Sequence, residues 1–493
     1  MTGKVAAGVG WMVFFKFIDR ILAIISILVL ARLLLPADFG LVAMAMSVIA
    51  IADLLTSFSF DVALIQKREP TRAHYDTAWT LHLFLSCSCA LLVVALAYPS
   101  AVFFHEPRLL EVMLVLALAW FIAGFENVGI VDFRRQLNFR REFYFLALRR
   151  ILSFLITVTL TFAIRSYWAL VIGTVAHRLI GVVLSYAMHP FRPRFSIATA
   201  RELFGFSSWL LLNNVLAIVQ DKVSHFVLGK MLGPEPLGLY TVGSDVARLP
   251  STDLLAPINR VAFPGLSRHN NDIDKLRGAF LDMTAATAIV AVPAAAGLVA
   301  VADLLVLVLM GEKWLQAVPV MQVLAFVSVV YGFTSITGPT YLALGEPRII
   351  TALAVLRLLV LATLVSWFVE REGLLGAAYA ELAAMLMSGV ASLLLVHWRL
   401  QIAAREFVSR VWRTLLASGA MAAAVWSFQQ QLPSPTSSLS ALPLLIAAVM
   451  LGVATYLAML GLLWYFSGRP LGGERLLLDQ ALHWWENKRP RTP

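Results

Sequence analysis

Charge is what this chain has least of. Only 14% of its 493 residues are Asp, Glu, Lys or Arg, against 60% hydrophobic, with a mean hydropathy of +0.81. That scarcity excludes a soluble protein. A single soluble core stops growing at roughly 250–300 residues, and a longer chain this apolar would expose large greasy patches to water. Cysteine is nearly absent too. Cys87 and Cys89 lie in the apolar stretch FLSCSCALL, where a spacing of two puts them on different sides of a helix and argues against a disulfide or a metal site. There is no HExxH, no Walker sequence and no glycine-rich phosphate loop, which removes the usual signs of a metalloprotease or an ATP-driven machine. The first twenty residues lack an apolar segment ending in a small-residue cleavage site, so they read as a retained first helix.

What the chain does have is long apolar runs. A bilayer crossing needs about 20 apolar residues in a helix. Read between polar and Pro/Gly breaks, the runs predict an all-α polytopic membrane protein of about fourteen helices. They fall at 10–33, 39–65, 77–98, 109–131, 145–164, 167–188, 203–230, 237–263, 277–309, 316–344, 349–368, 374–396, 412–429 and 441–466. Most of the 39 Lys and Arg fall in one alternate set of loops, including QKREPTR, FRRQLNFRREF, PFRPR and the tail ENKRPRTP. Loops retained in the cytoplasm carry that excess, so both termini are expected there. The same loops account for the net charge of +10 without invoking nucleic acid.

One phrase is written twice. ARLLLPADFGL at 31–41 returns as GKMLGPEPLGL at 229–239, and a shift of 198 lays Leu34, Pro36, Gly40 and Leu41 on Leu232, Pro234, Gly238 and Leu239. A second match, VMLVLA at 112–117 against VMQVLA at 320–325, follows at a shift of 208. Six helices separate the copies, so both enter the membrane in the same sense. The expected organisation is two parallel six-helix lobes around a central cavity, residues 1–190 and 195–400. Two further helices follow within 405–466, then a basic cytoplasmic tail over 467–493. The repeated phrase reads as a tight turn in which proline fixes φ and glycine lets the chain reverse.

Twin lobes, two terminal helices, the R-L-L-x-P-x-D-F-G phrase and the basic FRRQLNFRREF loop together resemble the multidrug/oligosaccharidyl-lipid/polysaccharide (MOP) exporter superfamily. Within it the chain resembles the polysaccharide transporter branch of Wzx and WzxC-like flippases. The resemblance covers essentially the whole chain and implies alternating access. It further implies a polyprenyl-linked oligosaccharide as cargo, moved from the cytoplasmic to the outer leaflet for exopolysaccharide or lipopolysaccharide synthesis. Membrane lipids and polysaccharide polymerase machinery are the other partners it suggests. No cofactor is expected beyond a coupling proton or sodium ion.

Ionisable groups inside a bilayer are costly and mark pathways. Lys16, Asp19 and Arg20 lie in the first span, and Asp221 and Lys222 in the seventh, within one turn of the first set after the repeat shift. Adjacent helical residues do not face one another, so Asp19 is expected to reach Lys16 rather than Arg20. Asn214 and His225 extend a polar stripe with Asp221, Asp53 and Asp61 share a face of the second span, and Asp245, Arg248 and Arg260 mark the eighth. These residues form the candidate substrate cavity, with Glu126, Arg178, Arg357 and Glu381 as further members. Packing of lobe against lobe is the structural alternative. Arg20, Lys222 and Arg248 suit a pyrophosphate, and Asp19, Asp53 or Asp221 a coupling cation. Pro250, Pro257 and Pro264 mark a hinge in the eighth span that the proline-free second span lacks. The basic loop from 133 to 150 reads as an amphipathic helix on anionic headgroups. A small-molecule or multidrug antiporter and an integral-membrane glycosyltransferase or polymerase are the rival functions; the short outer loops weigh against the enzyme.

Overall fold

A computed structural model describes residues 2–56, 60–67, 69–252, 254–270, 272–432 and 437–468; within these, the side chains of 2–7, 9, 55–56, 203–214 and 252 lie outside the description. Among the described residues the chain is helical and has no strand. The helices are α1 (Thr2–Leu33), α2 (Pro36–Ala52), α3 (Phe60–Gln66), α4 (Arg72–Phe104), α5 (Arg108–Ala123), α6 (Val131–Arg135), α7 (Phe139–Ile164), α8 (Trp168–Met188), α9 (Ala200–Leu232) and α10 (Pro234–Ala247). They continue as α11 (Leu249–Thr252), α12 (Ala256–Ser267), α13 (Ile273–Leu309), α14 (Val318–Thr334), α15 (Thr337–Ala343), α16 (Pro347–Glu372), α17 (Leu374–Leu400), α18 (Ala404–Gln430) and α19 (Ser438–Phe466). Every one of the fourteen expected spans falls on a helix or a broken helix. By length and hydropathy eight described helices can cross a bilayer, nine with the bent pair α5 and α6. The basic tail expected over 467–493 lies, from residue 469 on, outside the described residues.

The chain divides into two compact units, Met1–Thr241 and Val242–Pro493. In the first, α4 packs on α5, α5 on α8, α8 on α7, and α7 on α1. In the second, the same order recurs: α13 on α14, α14 on α17, and α17 on α16, while α18 and α19 pack on α13. The duplication is therefore one of packing as well as of sequence. It extends to helix ends, because a shift of 208 carries α7 onto the bounds of α16.

Local chemistry explains several of these elements. Pro293 inside α13 has no N–H to offer the carbonyl four residues back. The Ile289 carbonyl accepts instead from the Tyr456 hydroxyl of α19 at 2.9 Å, which ties the C-terminal pair to the unit. Between α8 and α9 the chain runs without helix and is strapped to its neighbours. The Arg194 N–H donates to Asp76 at 2.8 Å, the Ser196 N–H to Thr80 Oγ1 at 3.0 Å, and Asn127 Nδ2 to the Phe191 carbonyl at 2.7 Å. Glu202, in the first turn of α9, accepts from Lys67 at 2.5 Å and lies 3.2 Å from His74.

The repeated phrase corrects its own reading. Pro36 and Pro234 open α2 and α10, but Gly40 and Gly238 sit inside those helices and do not reverse the chain. The reversing residue in the second copy is Gly233, at φ +85°; its counterpart Leu35 is extended. The glycines serve close approach. A Cβ at Gly40 would stand 1.6 Å from the Pro234 carbonyl oxygen, and one at Gly238 1.8 Å from that of Pro36. The two copies of the phrase thus cross backbone to backbone, each glycine making room for the other's proline.

Candidate functional site: broken spans and their ion pairs

Four of the apolar runs are not continuous helices. The second span stops at Ala52, tightens into a 3-10 turn over Asp53–Thr56, and resumes at Phe60 as α3. The fourth ends α5 at Ala123 and resumes through a 63° bend. The eighth breaks between Ala247 and Ala256, and the tenth between Thr334 and Thr337. These are repeat-equivalent pairs: shifted by 198, position 53 falls on 251, and shifted by 208, position 127 falls on 335. Interrupted helices at matching places in two halves of a membrane protein are where transporters of this kind build their sites, because unwound backbone there faces protein or water instead of lipid. The proline argument is corrected in the process. Pro250 and Pro257 do lie at the break of the eighth span and Pro264 within α12, yet the proline-free second span breaks as well. There the Asp53 carboxylate, at the start of the break, accepts from Trp120 Nε1 at 2.9 Å.

Both breaks of the first unit open onto one cavity of about 390 Å³. Its wall combines Asp61, Glu126 and Glu142 with Arg134, Arg149 and Arg178. Arg149 Nη1 lies 3.4 Å from each oxygen of Glu126. Arg134 donates to Glu142 at 2.5 Å and to Asp61 at 3.4 Å. The Arg178 guanidinium stacks 4.8 Å from the Trp120 ring whose N–H holds Asp53. Four sequence-predicted residues, Asp53, Asp61, Glu126 and Arg178, therefore belong to a single network. Three arginines facing three carboxylates within reach of unwound backbone give a site that can exchange an internal partner for an anion or a cation without leaving a bare charge.

The remaining predicted residues distribute as follows. Asp19 pairs with Arg150 of α7 at 2.9 Å rather than with Lys16, which is exposed; a partner on another helix competes better than one on the same strip. Arg20 is half-buried on α1. Asp221 and Lys222 pair with each other at 2.7 Å, against the expectation for adjacent positions, because the four-carbon lysine stem can curl back where a short side chain cannot. His225 is buried, its ring 5.8 Å edge-on from Tyr240. Asn214 lies on α9, but its side chain is outside the described residues. In the second unit, Asp245 and Arg260 are exposed and Arg248 half-buried. Arg357 donates to the buried Glu381 at 2.5 Å.

Arg149 and Arg150 fall within the expected 145–164 span, but sequence reasoning did not count them among the candidate cavity residues. Counted both in the 145–164 span and in the basic loop from 133 to 150, they lie over two turns inside α7, Arg149 paired with Glu126 in the break of the fourth span and Arg150 with Asp19 of α1. Arg134 and Glu142 of that loop likewise turn toward the cavity. The signal was available: a cation between apolar residues deep in a span demands a carboxylate partner. Asp303, alone among the apolar residues near the end of α13, was missed for want of the same reasoning.

Helices broken at matching places in two repeats, with a charged cavity at the breaks of the first, are the architecture of a membrane transporter. The chain belongs to the polysaccharide biosynthesis protein family, whose model matches residues 29–319. It is 26% identical over 332 residues to the lipopolysaccharide biosynthesis protein WzxC of Escherichia coli, covering 66% of this chain and 67% of that one. It is 26% identical over 324 residues to the succinoglycan biosynthesis transport protein ExoT of Rhizobium meliloti, covering 65% of each. Among solved structures, the lipid II flippase MurJ in an inward closed conformation superposes with a TM-score of 0.73 at 13% identity, over 92% of this chain and 99% of that one. An inward-facing multidrug MATE transporter of the MOP superfamily gives 0.61 at 16%, over 78% and 94%. The fold is that of these transporters.

Proposed function

We propose that this protein flips a polyprenyl-pyrophosphate-linked oligosaccharide from the cytoplasmic to the outer leaflet of a bacterial inner membrane, both termini cytoplasmic, as a transporter and not a catalyst. The observation that carries the reading is the matched set of helix breaks, one pair of which opens on a cavity walled by Arg134, Arg149 and Arg178, in a chain of the polysaccharide biosynthesis family. Relatives named for lipopolysaccharide and succinoglycan biosynthesis support the cargo class. The cations available in the first unit, Arg149 and Arg178 with Arg20 and Lys222, suit a pyrophosphate, which prefers several positive donors in a low dielectric. When the anion engages Arg149, Glu126 loses its partner and becomes a place for a proton or a sodium ion, which would couple uptake of cargo to an ion gradient. Asp19, Asp53 and Asp221 are further carboxylates for that role.

Inactivating the gene should accumulate the lipid-linked intermediate in the cytoplasmic leaflet. In proteoliposomes, Arg20→Ala and Lys222→Ala should slow flipping of a lipid-linked oligosaccharide. Full rates in both would remove those residues from the pathway. Export of a cationic drug with no lipid-linked intermediate accumulated would favour the multidrug antiporter.

A further inference from the structure

The second unit holds a cleft that the flippase reading does not use. It has a volume of about 730 Å³ and lies among α13, α14, α18 and α19, within the range of small-ligand sites. Its polar wall is Asp303, Gln322, Gln429 and Gln430, and Trp426 stands beside them, 63% exposed. Two of the amides are fixed in place: Gln322 Nε2 donates to the Val299 carbonyl at 3.3 Å and Gln429 Nε2 to that of Ala300 at 2.9 Å. Both anchors fall on consecutive residues of α13, one turn before Asp303.

We propose that this cleft binds a sugar, and, resting on the reading above, that it receives the glycan of the cargo at the outer side of the membrane. Its chemistry excludes the pyrophosphate, because among the described residues the wall contains a carboxylate and no cation. Three primary amides supply donors and acceptors side by side, the pairing that vicinal hydroxyls demand, whereas an ammonium group could use only the acceptors. A carboxylate accepts two hydroxyl protons with charge-assisted strength. The exposed indole offers a flat apolar face for the C–H side of a pyranose ring. Asp303 lies six residues, about 9 Å of helix, from the end of α13. In the proposed orientation that end is the outer one, where a glycan leaving the protein would arrive.

The test uses the full chain in nanodiscs of phosphatidylglycerol and phosphatidylcholine, with lactose and maltose as probes. Ligand-observed saturation-transfer NMR should show saturable binding to the wild type. Asp303→Asn and Trp426→Ala should each weaken it about tenfold, and Trp398→Phe, an exposed tryptophan of α17, should not. Equal signals in all variants, no signal in the wild type, or displacement by glycerophosphoethanolamine, which would mark an ammonium site, overturns the proposal. Flipping of a lipid-linked oligosaccharide measured in parallel separates the two readings. A wild type that flips but binds neither sugar defeats the sugar site alone. A wild type that binds both sugars through Asp303 and Trp426 but does not flip defeats the flippase alone.

Discussion

The two repeats interrupt the same spans at the same places and then fill the interruptions differently. In the first, Arg149 on α7 shares a cavity with Arg134 and Arg178 and reaches Glu126 only at 3.4 Å. In the second, the residue that a shift of 208 sets on Arg149 is Arg357 of α16, and it closes on the buried Glu381 at 2.5 Å. The hydroxyls there are also internally engaged: Ser328 donates to the Ala247 carbonyl at 2.9 Å, and Ser392 to Thr337 at 2.8 Å. One inherited arginine has thus kept a loose pairing inside a cavity, and its copy has become a closed pair. On the function proposed above, the same position would serve ligand exchange in one half and rigidity in the other.

Substituting the two arginines breaks that comparison most directly. Arg357→Ala leaves Glu381 buried without its partner and should destabilise the protein by about 3 kcal/mol, seen as a lower melting temperature in detergent. The double variant Arg357→Leu with Glu381→Leu should recover most of the loss, because no charge is left bare. Arg149→Ala should melt near the wild type, since Arg178 lies within electrostatic reach of Glu126, yet flip cargo poorly. Equal melting losses in the two single variants would show that the pairs do the same work.

A second test concerns what the halves share. The crossing of Gly40 on Pro234 is reciprocal with that of Gly238 on Pro36, so a methyl group at either site meets a carbonyl oxygen that cannot move without its helix. Gly40→Ala and Gly238→Ala should each cost roughly 1–3 kcal/mol, by similar amounts. Because both act on one crossing, the double variant should fall short of the sum. Additive losses would mean that the two glycines pack independently.

These contrasts show what could be read from the chain alone. Apolar run length located the long helices, since the bilayer imposes it, but not the breaks that divide four of the runs. The shifts of 198 and 208 between copies located the equivalences, because duplicated packing preserves spacing. Partner choice was not legible. Asp19 has cations at i−3 and i+1 in its own helix, and only the approach of α7 decides for Arg150. The Pro-x-x-x-Gly phrase carried the duplication but concealed its purpose, because a glycine needed for clearance looks the same in sequence as one needed for a positive φ. The break at Asp53 left no proline to announce it, and the indole N–H that holds its carboxylate lies 67 residues away. Asp61, Glu126 and Arg178 were recognised singly by their cost in lipid, whereas their convergence on one cavity depends on two bends that hydropathy does not register.

The smallest expected effect lies at the joint leading into the second copy. Lys67 and His74 donate to Glu202 in the first turn of α9, and these hydrogen bonds hold its carboxyl below the usual glutamate range. A carboxylate whose folded value is depressed stabilises the folded state above the unfolded value, and that contribution is lost as pH falls through the folded value. The anchor should therefore hold unchanged from neutral pH down to the ordinary glutamate value of 4.5 and loosen only below it. Glu202 is exposed, so water screens the pair and the loss should be local rather than global. Amide exchange at the start of α9, corrected for intrinsic rates, should rise below that pH in the wild type. In Glu202→Gln it should already be raised at pH 7 and lack the acid step. An acid step of the same size in Glu202→Gln would assign the joint's pH response to another group.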